Sequence, residues 1–470
     1  MKPLSFVDSS PLSGERHFPA SEWPQPHRHD LLFRDLRIYV YQLSPDFTTH
    51  VWRAAAKRLM FDELRFRQEF CLLRYCELGW ERDANGRQFT SELPVLLRLL
   101  QTTTLVDDPA TADAFVVPFS IGTYQTLVRW TSRPFERREL PPISQVTAKL
   151  TSQLKFLNAS TASRHVFFQS VDSAFVGLAS NGTGPWLPLS SIIFHLGDDL
   201  HFYGRIKHFS PNRRALRFSN SITIPYRSFL PAKFDLRHPW REEGHRRLLL
   251  FGAINAKRHW LRGELLEAVN RSRAIAPGRV LVGSTSQFSS LANAAALQLN
   301  ATFCLCPSGD APAFTQRLYV SILHGCIPVR IDTYLRYPPD PEHIESAYPF
   351  PHLIDWKKMS LTITANGRHM SKLELAKKGY VHLKKEFSKL VPQLLALEAS
   401  GEARVMRAYM RKIVPLLTFD AHSRTGELLR QDAASAAIHE LAIKLGKRSV
   451  SVPTPTSYGG LAKESQSARL

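Results

Sequence analysis

Short, nearly continuous apolar runs punctuate the first half of the chain, at residues 37–41 (RIYVY), 114–118 (AFVVP), 165–168 (HVFF), 191–194 (SIIF) and 221–225 (SITIP). Apolar residues on successive positions suit parallel strands covered on both faces, whereas a sheet with one wet face shows alternation. Stretches with helical spacing, 88–100 and 143–157, fall between these runs. That alternation predicts a doubly wound sheet. After a charged bridge over 237–247 the pattern restarts: LLLFG at 248–252, a helix over 259–271, RVLVG at 279–283, a helix over 289–299, TFCLC at 302–306, a helix over 312–324 and CIPVRI at 326–331. A second sheet is therefore expected. From residue 372 to about 445 the spacing is helical, carried by Leu373, Leu375, Leu383, Leu390, Leu394 and Leu395, and these helices are expected to clasp the two domains. No internal repeat is visible, so the halves would share architecture rather than sequence.

Length supports two domains, since 470 residues exceed what one core usually carries. The reading places an N-terminal α/β domain at 36–240, a C-terminal α/β domain at 245–370 and helices at 371–446. Residues 1–35, rich in Pro, Ser and His, and 447–470, with Pro, Ser, Thr and a Gly pair, read as a disordered leader and tail.

Charge narrows the partners. Lys and Arg number 61 against 41 Asp and Glu, a net +20 with a pI near 9.9, so the surface attracts phosphates, acidic polysaccharide or anionic lipid. Nucleic acid is not expected as a partner. The basic residues are scattered, and no zinc-finger spacing, basic zipper or aromatic RNA-binding signature occurs.

Five cysteines, at 71, 76, 304, 306 and 326, are too few and too irregular for a disulfide scaffold and read mostly as small buried apolar groups. Cys71 and Cys76 are near enough in sequence to bridge, though five residues apart on a helix would not suit the geometry. Neither a signal peptide nor a membrane span can be read. Four Asn-x-Ser/Thr acceptors, at Asn158, Asn181, Asn270 and Asn300, lean toward the secretory lumen.

The most informative stretch runs FCLCPSGDAP over 303–312, then Arg317, then GCIPV over 325–329. It reads as strand, tight turn, helix, strand. Asp310 can cap the helix, Pro312 suits its first turn, and Gly309 permits close backbone approach. A helix N-terminus at the carboxyl edge of a parallel strand gathers free N–H groups and the positive end of the dipole, so Ser308, Gly309 and Asp310 form a candidate phosphate turn. Arg317, seven residues after Asp310 and so two turns along, would share its face and could grip a diphosphate bidentately. Pairing with the cap carboxylate or with solvent is the alternative.

The run from Phe303 to Val329, FCLCPSGDAPAFTQRLYVSILHGCIPV, resembles the nucleotide-binding signature of the exostosin family, glycosyltransferase family 47. Gly309, Asp310, Pro312, Arg317, Leu318 and the run 325–329 fall in register without gaps. Weaker likenesses extend over about 36–363: RIYVY at 37–41, DPATADAFVVPF at 108–119, HVFF through Asp172, IPY at 224–226, the helix start from Arg258 to Leu265, and Pro349-Phe350 through Ile354-Asp355-Trp356.

The resemblance implies a GT-B fold: two Rossmann-like domains facing a cleft, with the donor nucleotide on the second and the acceptor on the first. It implies transfer from a nucleoside diphosphate sugar, UDP-linked by expectation, to a glycan or glycoprotein hydroxyl, with inversion and with no metal or other cofactor. Charge then grows on the departing diphosphate, and a fixed donor field must absorb it. Arg317 and the turn amides would supply one side; Arg258 and Arg262, four apart on a helix face, could supply the other. No D-x-D occurs where a metal would be held: Asp107-Asp108 and Asp198-Asp199 are adjacent pairs, and Asp340-Pro341-Glu342 lies in a Pro-rich loop. A general base is expected on the first domain. Asp172 is the first candidate and His165 the second; either could instead be a strand-end hydrogen-bonding group.

Departures from the family pattern are Val320 in place of the acidic residue expected at the ribose, Gln316 in place of the first Arg of a pair, and Pro351 and His352 where some members carry Glu. They leave open a catalytically silent relative that scaffolds a partner transferase. Family analogy implies the Golgi, as lumenal or membrane-associated protein, although no anchor can be read.

Overall fold

The computed structural model describes residues 33–44, 47, 91–122, 124, 143–169, 188, 190–196, 220–226, 246–255, 260–288, 291–307, 315–332, 348–364, 380–419 and 432–447. Residues 1–32, Cys71, Cys76, Asn181, the acidic pair at 198–199, the stretch 340–342, most of the charged bridge and residues 448–470 lie outside these. Asp172, Arg258, Ser308, Gly309 and Asp310 also lie outside the described residues.

The first sheet contains β1 (Phe33–Val40), β2 (Thr103–Leu105), β3 (Ala114–Ser120), β4 (His165–Gln169), β5 (Ile192–His195) and β6 (Asn220–Thr223), in the order β2-β1-β3-β4-β5-β6. The second contains β7 (Leu248–Ala253), β8 (Val280–Gly283), β9 (Ala301–Pro307), β10 (Ile327–Asp332) and β11 (Leu361–Thr364), in the order β11-β10-β9-β7-β8. Every described pairing of neighbours is parallel. All residues of β3, β4 and β9 are buried, which is why their sequences carry no polar alternation.

Helices cross between the strands: α1 (Glu92–Thr102), α2 (Ile143–Gln153), α3 (Trp260–Arg271), α4 (Leu291–Leu299) and α5 (Gln316–Leu323). β1 begins at Phe33, so its first three residues come from the stretch read as leader. Counted from its own first strand, each sheet runs 2-1-3-4-5, the first adding a sixth strand. Two halves without visible repeat thus share one topology, and in each the order reverses between the first and third strands, β1/β3 and β7/β9. In such sheets the chain leaves those two strands in opposite directions and opens a crevice beyond their carboxyl ends. The architecture is a two-domain GT-B-like fold with C-terminal helices.

Those helices are α6 (Tyr380–Ala399), α7 (Glu402–Ile413) and α8 (Ala433–Lys444). α6 packs on α3, and Glu398 near its end pairs with Arg279 at 2.6 Å and accepts from the Thr302 hydroxyl at 3.1 Å. From α7, Arg407 Nε donates to the carbonyl of Gly325 at 2.9 Å. Gly325 has φ 66°, the left-handed conformation that ends α5 and that a side chain would disfavour. α8 crosses back to pack on α1 and β6. Asp432 at its N-cap accepts from Ser435 N–H at 2.9 Å through Oδ1 and pairs with Arg98 of α1 at 3.0 Å through Oδ2. The C-terminal helices therefore touch elements of both sheets' surroundings, α6 on α3 and α8 on α1 and β6.

The cysteine expectation needs correction. Cys304 and Cys326 form a disulfide, with Cα atoms 5.7 Å apart. Parallel register sets Pro328 beside Cys304, so Cys326, two residues earlier and 22 from Cys304 in sequence, arrives alongside β9. Proximity arose from strand pairing, which residue spacing does not display.

Candidate active site

The crevice of the second sheet lies where β7 and β9 diverge. α3 leads away from β7 on one side, and α5 from β9 on the other. Each presents an arginine in its first turn, Arg262 on α3 and Arg317 on α5. Helix α5 starts at Gln316, four residues later than its sequence suggests, because Thr315 at the N-cap is extended, with φ −148° and ψ 118°. Thr315 is therefore the cap of this helix, and Arg317 stands in its first turn. The Thr315 side chain makes no capping bond, so the positive end of the helix dipole and the Arg317 guanidinium reinforce one another.

Part of Arg317 reaches the surface, yet burial of the guanidinium pushes its pKa down to about 10; the Cys306 thiol works against that, and the charge of Arg262 adds to it. The two first turns thus place two cations close enough for the charge of one to act on the other. A third arginine joins them. Arg330 on β10 lies in register beside Cys306 on β9, is buried, donates through Nη2 to Thr362 Oγ1, and sits 4.2 Å over the Tyr348 ring. Burial pushes the Cys306 thiol up to about 11 against the Ser321 hydrogen bond and the positive fields of Arg317 and Arg330. Cys306 is thus a neutral spacer beneath a cationic rim.

Sequence reasoning missed Arg330, since it stands inside an apolar strand; its signal was a lone charge in the run IPVRI. Val320 is half-buried on α5, and Gln316 opens that helix.

On the first sheet stands His165, the second candidate base. It opens β4 at the amino edge, opposite the edge where ligands bind, and it is fully buried. Its Nδ1 donates to the Thr161 carbonyl at 2.9 Å, its Nε2 meets the Tyr41 hydroxyl at 2.8 Å, and its ring stacks on Phe115 at 4.8 Å. Both nitrogens are committed to packing. Burial pushes the imidazole down to about 4 despite the Thr161 bond, with Arg164 adding to the depression. Asp172 lies beyond the carboxyl end of β4, outside the described residues. At that carboxyl edge Gln169, His195 and Thr223 form a buried polar row across β4, β5 and β6, in register. Burial, helped by the charge of Lys444, pushes His195 down to about 3.

The two carboxyl edges meet. Tyr226, just past β6, packs its ring 5.7 Å from that of Tyr319 on α5, and both are buried. The helix carrying Arg317 therefore stands against the end of the first sheet.

The model of the Exostosin GT47 domain matches residues 33–372, which take in both sheets. No curated protein matches the chain.

Proposed function

The chain belongs to the exostosin GT47 family and is a glycosyltransferase, and from that premise we propose that it moves a sugar from a UDP-sugar to a glycan hydroxyl, with inversion and without a metal ion. One observation carries the reading: Arg317 and Arg262 stand in the first turns of the two helices that follow β9 and β7, the strands between which the sheet order reverses. Two such cations repel; a diphosphate between them relieves the repulsion as it gains charge on leaving. Arg330 adds a third cation on the neighbouring strand. Together they supply the positive field that a divalent ion brings to other transferases, and the Ser308–Asp310 turn and Arg258 would complete the cradle.

The acceptor enters from the first domain, at the edge of β4, β5 and β6. Members of this family are generally Golgi-associated, and among the described residues no helix is long and apolar enough to cross a membrane. The Cys304–Cys326 bond and the exposed Asn158 acceptor favour an oxidising lumen.

A second reading, a silent relative that binds nucleotide and scaffolds a partner transferase, rests on Val320 and Gln316. Incubation of purified protein with UDP- and GDP-sugars separates the two. Release of nucleoside diphosphate supports the enzyme, binding without turnover the scaffold, and neither binding nor turnover contradicts both.

A further inference from the structure

The segment before β11 carries a histidine, outside the diphosphate cradle, that pairs with a carboxylate of α8. Phe350 has φ 56°, a left-handed conformation that is unfavourable for a non-glycine residue and persists where surroundings hold it. They do so here: the Phe350 carbonyl accepts from Leu353 and Ile354 N–H at 3.0 and 2.9 Å, and Trp356 Nε1 donates to the Pro349 carbonyl at 2.9 Å. The turn so fixed lifts His352 outward, with 56% of its side chain exposed.

Beneath it lies Glu440 of α8, with only 3% of its side chain exposed. One carboxylate oxygen accepts from the His352 backbone N–H at 3.3 Å and the other meets Nδ1 at 2.7 Å. A carboxylate accepts, so Nδ1 carries the proton and Nε2, on the far side of the ring, presents a lone pair. His439 lies nearby; burial pushes its pKa down, Glu440 raises it and His352 lowers it. The pair also links the segment before β11 to the helix docked on the first sheet's elements. Tyr348, four residues before His352, covers Arg330 of the cationic rim, while α8 is docked on β6 and α1 of the first domain.

Resting on the glycosyltransferase reading, we propose that His352 is the proton acceptor for the attacking hydroxyl and that Glu440 is its positioning residue. The acceptor oxygen bonds to the anomeric carbon as the bond from that carbon to the diphosphate oxygen breaks, and the electron pair leaves with the diphosphate. The hydroxyl proton passes to Nε2, and Glu440 balances the imidazolium until the proton is lost to water.

The test compares wild type with His352→Gln, His352→Gly and Glu440→Gln in the full chain. Release of nucleoside diphosphate is followed from UDP-galactose, UDP-xylose, UDP-arabinose and UDP-glucuronate, with the thermal shift induced by UDP recorded for each protein. His352→Gln should lower kcat by roughly 10²- to 10⁴-fold with the UDP shift retained. His352→Gly should recover turnover when imidazole is added, and Glu440→Gln should lower kcat with the donor KM unchanged. A wild type that releases no nucleotide would overturn the glycosyltransferase reading. An active wild type matched by His352→Gln, or a His352→Gly deaf to imidazole while Asp172→Asn is inactive, would overturn this inference alone.

Discussion

Replacing Cys304 and Cys326 together by alanine opens a cross-link between residues 22 apart in sequence. In the chain-entropy account, releasing a loop of that length costs about 3.4 kcal/mol, because the unfolded chain regains the freedom that closure removed. For domains of this size that corresponds to a fall in melting temperature of roughly 7–14 °C. Differential scanning fluorimetry of the double variant and wild type, each with and without a phosphine reductant, reads the effect. Wild type should lose this stability on reduction, and the variant should be insensitive to it. Equal melting temperatures without reductant would refute the reasoning, as would an unreduced tryptic digest in which the Cys304 and Cys326 peptides run separately. The consequence reaches the site, since the bond joins β9, which carries Cys306, to the entry of β10, which carries Arg330.

Acid should destabilise the fold through its buried imidazoles. Burial depresses His165, His195 and His324 to about 4, 3 and 4, so below the unfolded value near 6.5 the unfolded chain binds the extra protons and stability falls as pH falls. At pH 5 each contributes about 2 kcal/mol of loss; a urea midpoint unchanged between pH 7 and 5 would contradict this. Arg98→Met should cost roughly 3–5 kcal/mol by leaving the Asp432 carboxylate buried and unpaired; a melting curve like that of wild type would count against the clasp. Arg330→Met should shrink the UDP-induced thermal shift, and an undiminished shift would remove Arg330 from the cationic rim.

The architecture was legible because full burial leaves a plain mark: runs such as AFVVPF and TFCLC become β3 and β9, and each strand read from the sequence lies within a few residues of its place. β2 and β11, only three and four residues long, were too short for periodicity to reveal. Arg262 and Arg317 could be placed near helix starts because the helical spacing around each is plain in sequence. What failed was anything fixed by register or by distant chain. The Cys304–Cys326 bond depends on which residues strand pairing aligns. The His352–Glu440 pair joins groups 88 positions apart. His165, read as a candidate base or a strand-end hydrogen-bonding group, meets Tyr41 from a separate strand end, a partner its own sequence neighbours do not disclose.

Isothermal titration of UDP into wild type and Arg317→Ala tests the diphosphate cradle most directly. One charge-assisted hydrogen-bonding group is worth about 1.5–3 kcal/mol, so the variant should bind roughly 10- to 100-fold more weakly with an unchanged melting temperature. Equal affinity in the two proteins, or a wild type that binds no UDP, would contradict the account.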